Sequence, residues 1–232
     1  WEFVEGTRGV SDACKAITLK EHPKNPTPII AGNVSFYNES KNGSIPPSPI
    51  VSCLGKIKNI DNAITMGFKK ENSLILMIGE RKNELGGSLY YDLFSELGAN
   101  VPKPDLEIVK GEIFSLTTCI DKKLILSCHD ISDGGLSAAL TEMTFKNNIG
   151  CSVNYKTIMK PEAFLFSETG GFILEADSLH LEEIKTEFAK NNIEVAVIGK
   201  TNKSKVIEIN EEISINLINV KSSWETGLRE KL

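Results

Sequence analysis

"LILSCHDISDGGLSAALTEMTFKNN", residues 124–148, carries the reading on which the fold turns. "LILSCHD" reads as a strand that ends on His129 and Asp130. A polar turn of Ser132, Asp133, Gly134 and Gly135 follows, and "GGLSAALTEMTFKNN" reads as a helix. Upstream, "LILMIGE" (74–80) reads as a buried strand, "LGGSLYYDLFSELG" (85–98) as a glycine turn feeding a helix, and "KGEIFSLTTCIDKK" (110–123) as a helix. Downstream, "AFLFSETGGFILEA" (163–176) is predicted to form two strands around a Gly-Gly turn. "LHLEEIKTEFAKNN" (179–192) is a charged helix, and strands close the chain at "EVAVIGK" and "KVIEINEEISINL". Strands and helices alternate, so the class is α/β, or α+β, with helices packed on a mixed sheet.

The first 67 residues read differently. Phe3, Val10, Ala13, Cys14 and Ile17 give helical spacing over residues 2–19, and the proline-rich "EHPKNPTP" ends it. "PIIAGNVSF" (28–36) and "PIVSCLGKI" (49–57) are predicted strands joined by the turn-rich excursion "NESKNGSIPPSP". "GFKKENS" then breaks the pattern, which places a boundary near Gly67. The expected division is the end of one domain over 1–67 and a complete C-terminal α/β sandwich domain over 68–232. The helical spacing already under way at Trp1, with no initiator Met, reads as a fragment of a longer protein.

Two stretches hold the candidate chemistry. In "HDISDGGLSAAL" (129–140) the turn offers backbone N–H groups and a helix dipole to an anion, or Asp130 and Asp133 as oxygen ligands to Mg²⁺. The plainer reading is that Ser132 or Asp133 caps the helix while the glycines allow close packing. "ELGGSLYYDLF" (84–94) poses the same choice, and Glu168 in "LFSETGGFIL" faces either a cleft or solvent. In "IIAGNVSFYNES" (29–40) Gly32 lets backbone approach a ligand, Asn33 offers a neutral oxygen to a metal, and Ser35 falls on the same side of an extended chain. The same Gly and Asn are also ordinary turn residues at a strand exit.

Composition narrows the classes. With 41% hydrophobic and 25% charged residues and a net charge of -5, the chain is that of a globular protein with no general attraction for nucleic acid or acidic membranes. No apolar run of membrane-spanning length and no signal-like opening is present, so the expected location is the cytoplasm. Cys14, Cys53, Cys119, Cys128 and Cys151 are widely spaced and odd in number, without a C-x-x-C pair. They read as reduced core residues rather than as disulfides or a zinc site. His22 and His180 read as surface histidines, and no Ser-His-Asp triad, Walker loop or zinc helix is recognisable.

Taken together and in order, "GVSDACKAI", "PIIAGNVSFYNES", "PPSPIVSCLG", "ELGGSLYYDLF", "HDISDGGLSAAL" and "LFSETGGFIL" resemble the second half of the phosphoribosylformylglycinamidine synthases. These enzymes of purine biosynthesis are built from two tandem copies of the two-domain unit of aminoimidazole ribonucleotide synthetase. The resemblance implies an ATP-dependent carbon-nitrogen ligase. Its substrates would be formylglycinamide ribonucleotide, ATP with Mg²⁺, and ammonia from a glutaminase subunit or domain. It implies that Gly32 serves ATP, Asn33 the metal and Ser35 the substrate. The catalytic histidine and most metal-binding acids of the family lie in its first copy, so no catalytic residue is assigned here and the chain alone should not catalyse. "FSET" departs from the S-E-S-Q form of the first copy, which leaves Asp130, Asp133 and Glu168 as a degenerate or auxiliary site, more structural than catalytic. The alternatives are another enzyme of the same superfamily, or a non-catalytic half serving subunit docking or an auxiliary nucleotide.

Overall fold

The computed structural model describes residues 1–33 and 39–227. The chain falls into two compact units, Trp1–Lys58 with Asp105–Lys110, and Asn59–Pro104 with Gly111–Leu232.

In the first unit, α1 spans Glu2–Ala16 and buries none of its residues. The short strands β1 (Thr18–Leu19) and β2 (His22–Pro26) pair antiparallel behind it. Thr27 closes this hairpin onto the helix end, its N–H donating to the Cys14 carbonyl at 2.9 Å. A two-residue ladder, β3 (Glu39–Ser40) with β4 (Gly43–Ser44), follows. The strands predicted at 28–36 and 49–57 are not formed over the described residues: 28–33 and 49–57 carry no regular structure. Their apolar side chains are open, Ile50 at 96% and Leu54 at 89% exposed. An extended apolar run becomes a strand only when another strand accepts its N–H and C=O groups, and the described residues of this unit do not supply one.

The second unit is a layered α/β structure. Its elements are β5 (Leu74–Ile78), α2 (Leu89–Asp92), α3 (Leu106–Asp121, entering this unit at Gly111), β6 (Ser127–Asp130), α4 (Gly135–Phe145), β7 (Gly150–Val153), α5 (Pro161–Phe166), β8 (Phe172–Ala176), α6 (Leu181–Ala189), β9 (Val195–Asn202), β10 (Val206–Ile209), β11 (Ile213–Asn216) and α7 (Leu217–Thr226). The strands form one mixed sheet in the order β11-β10-β7-β9-β5-β8-β6, antiparallel throughout except for the parallel pair β10 and β7. All five residues of β5 are buried. Ile75 and Met77 face one layer, with Leu136, Leu140 and Met143 of α4 and Phe164 of α5. Leu74, Leu76 and Ile78 face the other, with Leu116 and Cys119 of α3 and Ile184 and Phe188 of α6. A continuous apolar strand is what a sheet covered on both faces requires. Each such side chain contributes about 1.5–3 kcal/mol on burial.

Two further sequence expectations are corrected. "AFLF" is the end of α5, not a strand, because Pro161 pre-sets a helical first turn and Ala163, Phe164 and Leu165 then face the core together. The helix expected to follow the glycine turn within 85–98 is a single turn, α2. The expected helices near 110–123 and 179–192, and the strands at "LILMI", "EVAVIGK" and "KVIEINEEISINL", are observed, the last as the β10–β11 hairpin.

One buried carboxylate sits inside this sheet. Glu175 on β8 is 0% exposed and accepts hydrogen bonds from the Lys69 N–H (2.8 Å), the Lys70 N–H (2.9 Å) and the Ser127 hydroxyl (2.8 Å). It ties the chain entering β5 to the edge strand β6. Replacing it with Ala leaves three donors without an acceptor, so Glu175→Ala is expected to lower unfolding stability by about 3 kcal/mol, measured by urea denaturation. The buried thiols give a second expectation. Burial pushes Cys119 up to about 11 and Cys151 up to about 12, from 9.0. Between those limits the unfolded chain has lost the thiol proton that the folded chain keeps. Stability therefore falls as pH rises above about 9, by roughly 1.4 kcal/mol per pH unit for each thiol, and Cys119→Ser flattens that slope in pH-dependent unfolding.

Candidate functional site

Three turns meet at one end of the sheet, where β5 and β6 finish and β8 begins. β8 runs antiparallel to both, so Ile78 and Asp130 each stand opposite Phe172. The approach is close: a Cβ on Gly171 would lie 2.3 Å from the Ile78 carbonyl oxygen, and the residue has φ +116°, so glycine is required there. Gly135, at φ +66°, is similarly pinned, with the Ser167 carbonyl oxygen 2.7 Å from where its Cβ would be. Of the pair Gly134 and Gly135, read from the sequence as aids to close packing, Gly135 serves that purpose.

Glu168 joins the turns. Its Oε1 accepts from the Leu89 N–H at the start of α2 and from the Gly134 N–H at the start of α4, each at 2.9 Å. The helix α4 has Gly134 as its N-cap and no side-chain cap from its own turn, which corrects the expectation that Ser132 or Asp133 would cap it. The distant carboxylate takes that place, with the favourable polarity of a negative group at a helix start. The helix α2 is capped as expected: the Ser88 hydroxyl accepts from the Tyr91 N–H at 3.3 Å.

Beside this junction, His129 bridges two acids, its Nδ1 3.1 Å from Asp130 Oδ1 and its Nε2 2.8 Å from Glu142 Oε2. Partial burial pushes the Asp130 carboxyl up, but hydrogen bonds from His129, its own backbone and Ser132 outweigh that and hold it below the usual carboxylate range. Asp130 and Asp133 are exposed.

The sequence reading missed Arg81. Only 6% exposed, it donates from Nη1 to the Ser167 carbonyl at 3.0 Å and from Nη2 to the Gly170 carbonyl, gripping the turn on either side of Glu168. Burial lowers its pKa to about 10 against the opposing influence of Glu112 and Glu84, and burial pushes the Glu112 carboxyl up against the pull of Arg81. The signal was available in "LILMIGER", where an arginine follows a fully apolar strand by three residues.

The candidates Gly32 and Asn33 lie in the first unit. Gly32 is exposed, and a Cβ added there would meet nothing within 4 Å; Asn33 is exposed as well. Ser35 lies outside the described residues. Among the described residues no group of three His, Cys, Asp or Glu side chains is placed to hold a metal ion. Asn33 alone supplies one neutral oxygen, which does not make a magnesium site by itself. No helix is long and apolar enough to cross a membrane, again among the described residues.

The chain is similar along its whole length to phosphoribosylformylglycinamidine synthase subunit PurL. It is 34% identical to that of Methanothrix thermoacetophila over 238 residues, covering 100% of this chain and 31% of that protein. It is 37% identical to that of Thermococcus sibiricus over 235 residues, covering 97% and 31%. The chain thus spans about a third of the length of these relatives. Among solved structures, Thermotoga maritima PurL complexed with FGAR superposes with a TM-score of 0.60 over 69% of this chain and 30% of that one, at 17% identity. The PurLQS structure from Thermotoga maritima gives 0.57 over 68% and 27%, at 16% identity. At such identities the likeness is one of fold, a helix-covered mixed sheet. The family described as AIR synthase related protein, C-terminal domain, matches residues 70–211. That match covers the whole β5-to-β10 core of the second unit, and the chain belongs to this family.

Proposed function

We propose that the protein carrying this chain is an ATP-dependent ligase that converts formylglycinamide ribonucleotide, with ammonia, to formylglycinamidine ribonucleotide. The single observation behind this reading is identity of 34% and 37% to PurL subunits sustained over essentially every residue of the chain. Single shared motifs would be far weaker support. The division we favour assigns residues 1–67 to the end of an ATP-binding domain and 68–232 to a C-terminal domain.

In the proposed reaction the substrate amide oxygen attacks the γ-phosphorus of ATP and ADP leaves. Ammonia then adds to the phosphorylated imidate carbon, inorganic phosphate departs, and the amidine remains. Catalysis of this kind rests on placing donors and positive charge around the transferring group. The contribution of this chain is confined to binding. Gly32, with open space where a side chain would stand, admits ATP against the backbone. Asn33, exposed, would give one neutral oxygen to Mg²⁺, and the ion would offset phosphate charge. Ser35 is assigned to the substrate. Ammonia is supplied by a glutaminase partner, and the setting is cytoplasmic. Asp130, Asp133 and Glu168 belong to a degenerate or auxiliary site, more structural than catalytic: Oε1 of Glu168 already serves two backbone amides.

The test uses the full-length protein with ammonium chloride in place of a glutaminase, following ADP release in the presence of formylglycinamide ribonucleotide. Asn33→Ala is expected to lower kcat/KM by about 10²-fold, the scale of one lost polar group at a charged transition state. Asp133→Ala is expected to leave it unchanged. Full activity in Asn33→Ala overturns the assignment of Asn33, and no ADP release by the unmodified protein overturns the proposed reaction.

A further inference from the structure

We propose that Glu168 is a positioning residue whose carboxylate fastens the turn before α2 to the turn before α4, and that Arg81, by gripping the turn that presents it, makes the three glycine turns at this end of the sheet a single rigid body. The inference goes beyond the ligase reading and does not rest on it.

A carboxylate oxygen has more than one lone-pair direction, so one oxygen can serve two donors, and Oε1 of Glu168 does: the Leu89 and Gly134 N–H groups each reach it at 2.9 Å. Both are helix-start amides with no partner within their own helix. Neither turn supplies an acceptor to them. The Ser88 hydroxyl is engaged by the Tyr91 N–H and itself donates to the Leu85 carbonyl at 2.6 Å, and α4 has no side-chain cap from its own turn. The two segments therefore share an acceptor that belongs to neither.

The acid in turn is held from below. Arg81 donates to the carbonyls of Ser167 and Gly170, which bracket Glu168 and Thr169. The Ser167 hydroxyl, on a residue that is fully buried, donates to the Glu84 carbonyl at 3.2 Å and meets the Thr169 hydroxyl. Arg81 and Glu84 both lie in the connection from β5 to α2. The connection thus grips the Glu168 turn by its backbone, and the turn grips the connection by its side chain at Leu89. With Gly135 packed under Ser167, a displacement of any one turn strains the other two.

The test is backbone hydrogen exchange of the protein, resolved to single amides by NMR. Glu168→Ala is expected to speed exchange at both Leu89 and Gly134 by about tenfold or more, while Leu76 and Met77 in β5 keep their protection. Glu168→Gln, which retains a carbonyl oxygen at the same reach, is expected to hold both amides close to the unmodified rates. Arg81→Lys, which loses the paired grip on two carbonyls, is expected to speed the same two amides although Arg81 touches neither. Should Glu168→Ala not fold, Glu168→Asp serves instead: one methylene shorter, it releases at least one of the two amides. Retention of both amides in Glu168→Ala and Glu168→Asp, loss of only one in Glu168→Ala, or failure of Glu168→Gln to hold them overturns the proposal. Unchanged exchange in Arg81→Lys overturns the part assigned to Arg81.

Discussion

The strand Leu74–Ile78 must have apolar neighbours on both faces, and that requirement orders the second unit around it. Burying all five of its side chains places it inside the sheet, flanked by β8 and β9, with α4 and α5 on one side and α3 and α6 on the other. Once β5 is interior, its exit at Gly79 has to turn at the sheet end, where β6 also finishes and β8 starts. The convergence of the glycine turns is therefore a consequence of burying one apolar strand, and the close approach at Gly171 is the geometric mark of it.

Polar groups complete what the apolar core begins. Glu175 inside the sheet and Glu168 at its end are both acids in structural service, and each gathers backbone N–H groups from segments far away in sequence. A carboxylate suits this work because it accepts several hydrogen bonds without needing to donate one. Arg81 is the donor counterpart, spending its guanidinium on carbonyl oxygens rather than on an acid.

Much of this was legible in the sequence. "LILMI" declared a strand covered on both sides, and the glycine pairs at 86–87, 134–135 and 170–171 marked turns that the structure brings close. What was not legible has physical causes. The cap on α4 comes from Glu168, a contact made only in three dimensions, so Ser132 and Asp133 were the natural local candidates. "AFLF" is equally apolar as strand or helix, and only Pro161 ahead of it pointed to the helix. The stretches at 28–33 and 49–57 are apolar enough to read as strands, but apolar character says what a segment could bury, not which segment will pair with it. For the proposed ligand-binding stretch, sequence pattern and family resemblance remain the source of the assignment, with Gly32 and Asn33 standing exposed.

The sheet order also bears on how the chain reaches its folded state. Leu74 pairs with Ala176 on one side and with Lys200 on the other, so the interior strand that comes first in sequence finds both of its neighbours only near the end of the unit. Such non-local pairing closes long loops before any hydrogen bond is gained, which slows folding relative to a chain whose neighbours in space are neighbours in sequence. As the chain emerges from the ribosome, "LILMI" therefore waits, apolar and unpaired, until β8 and β9 have been made. In that interval it is an exposed apolar segment of the kind that chaperones bind and that promotes aggregation.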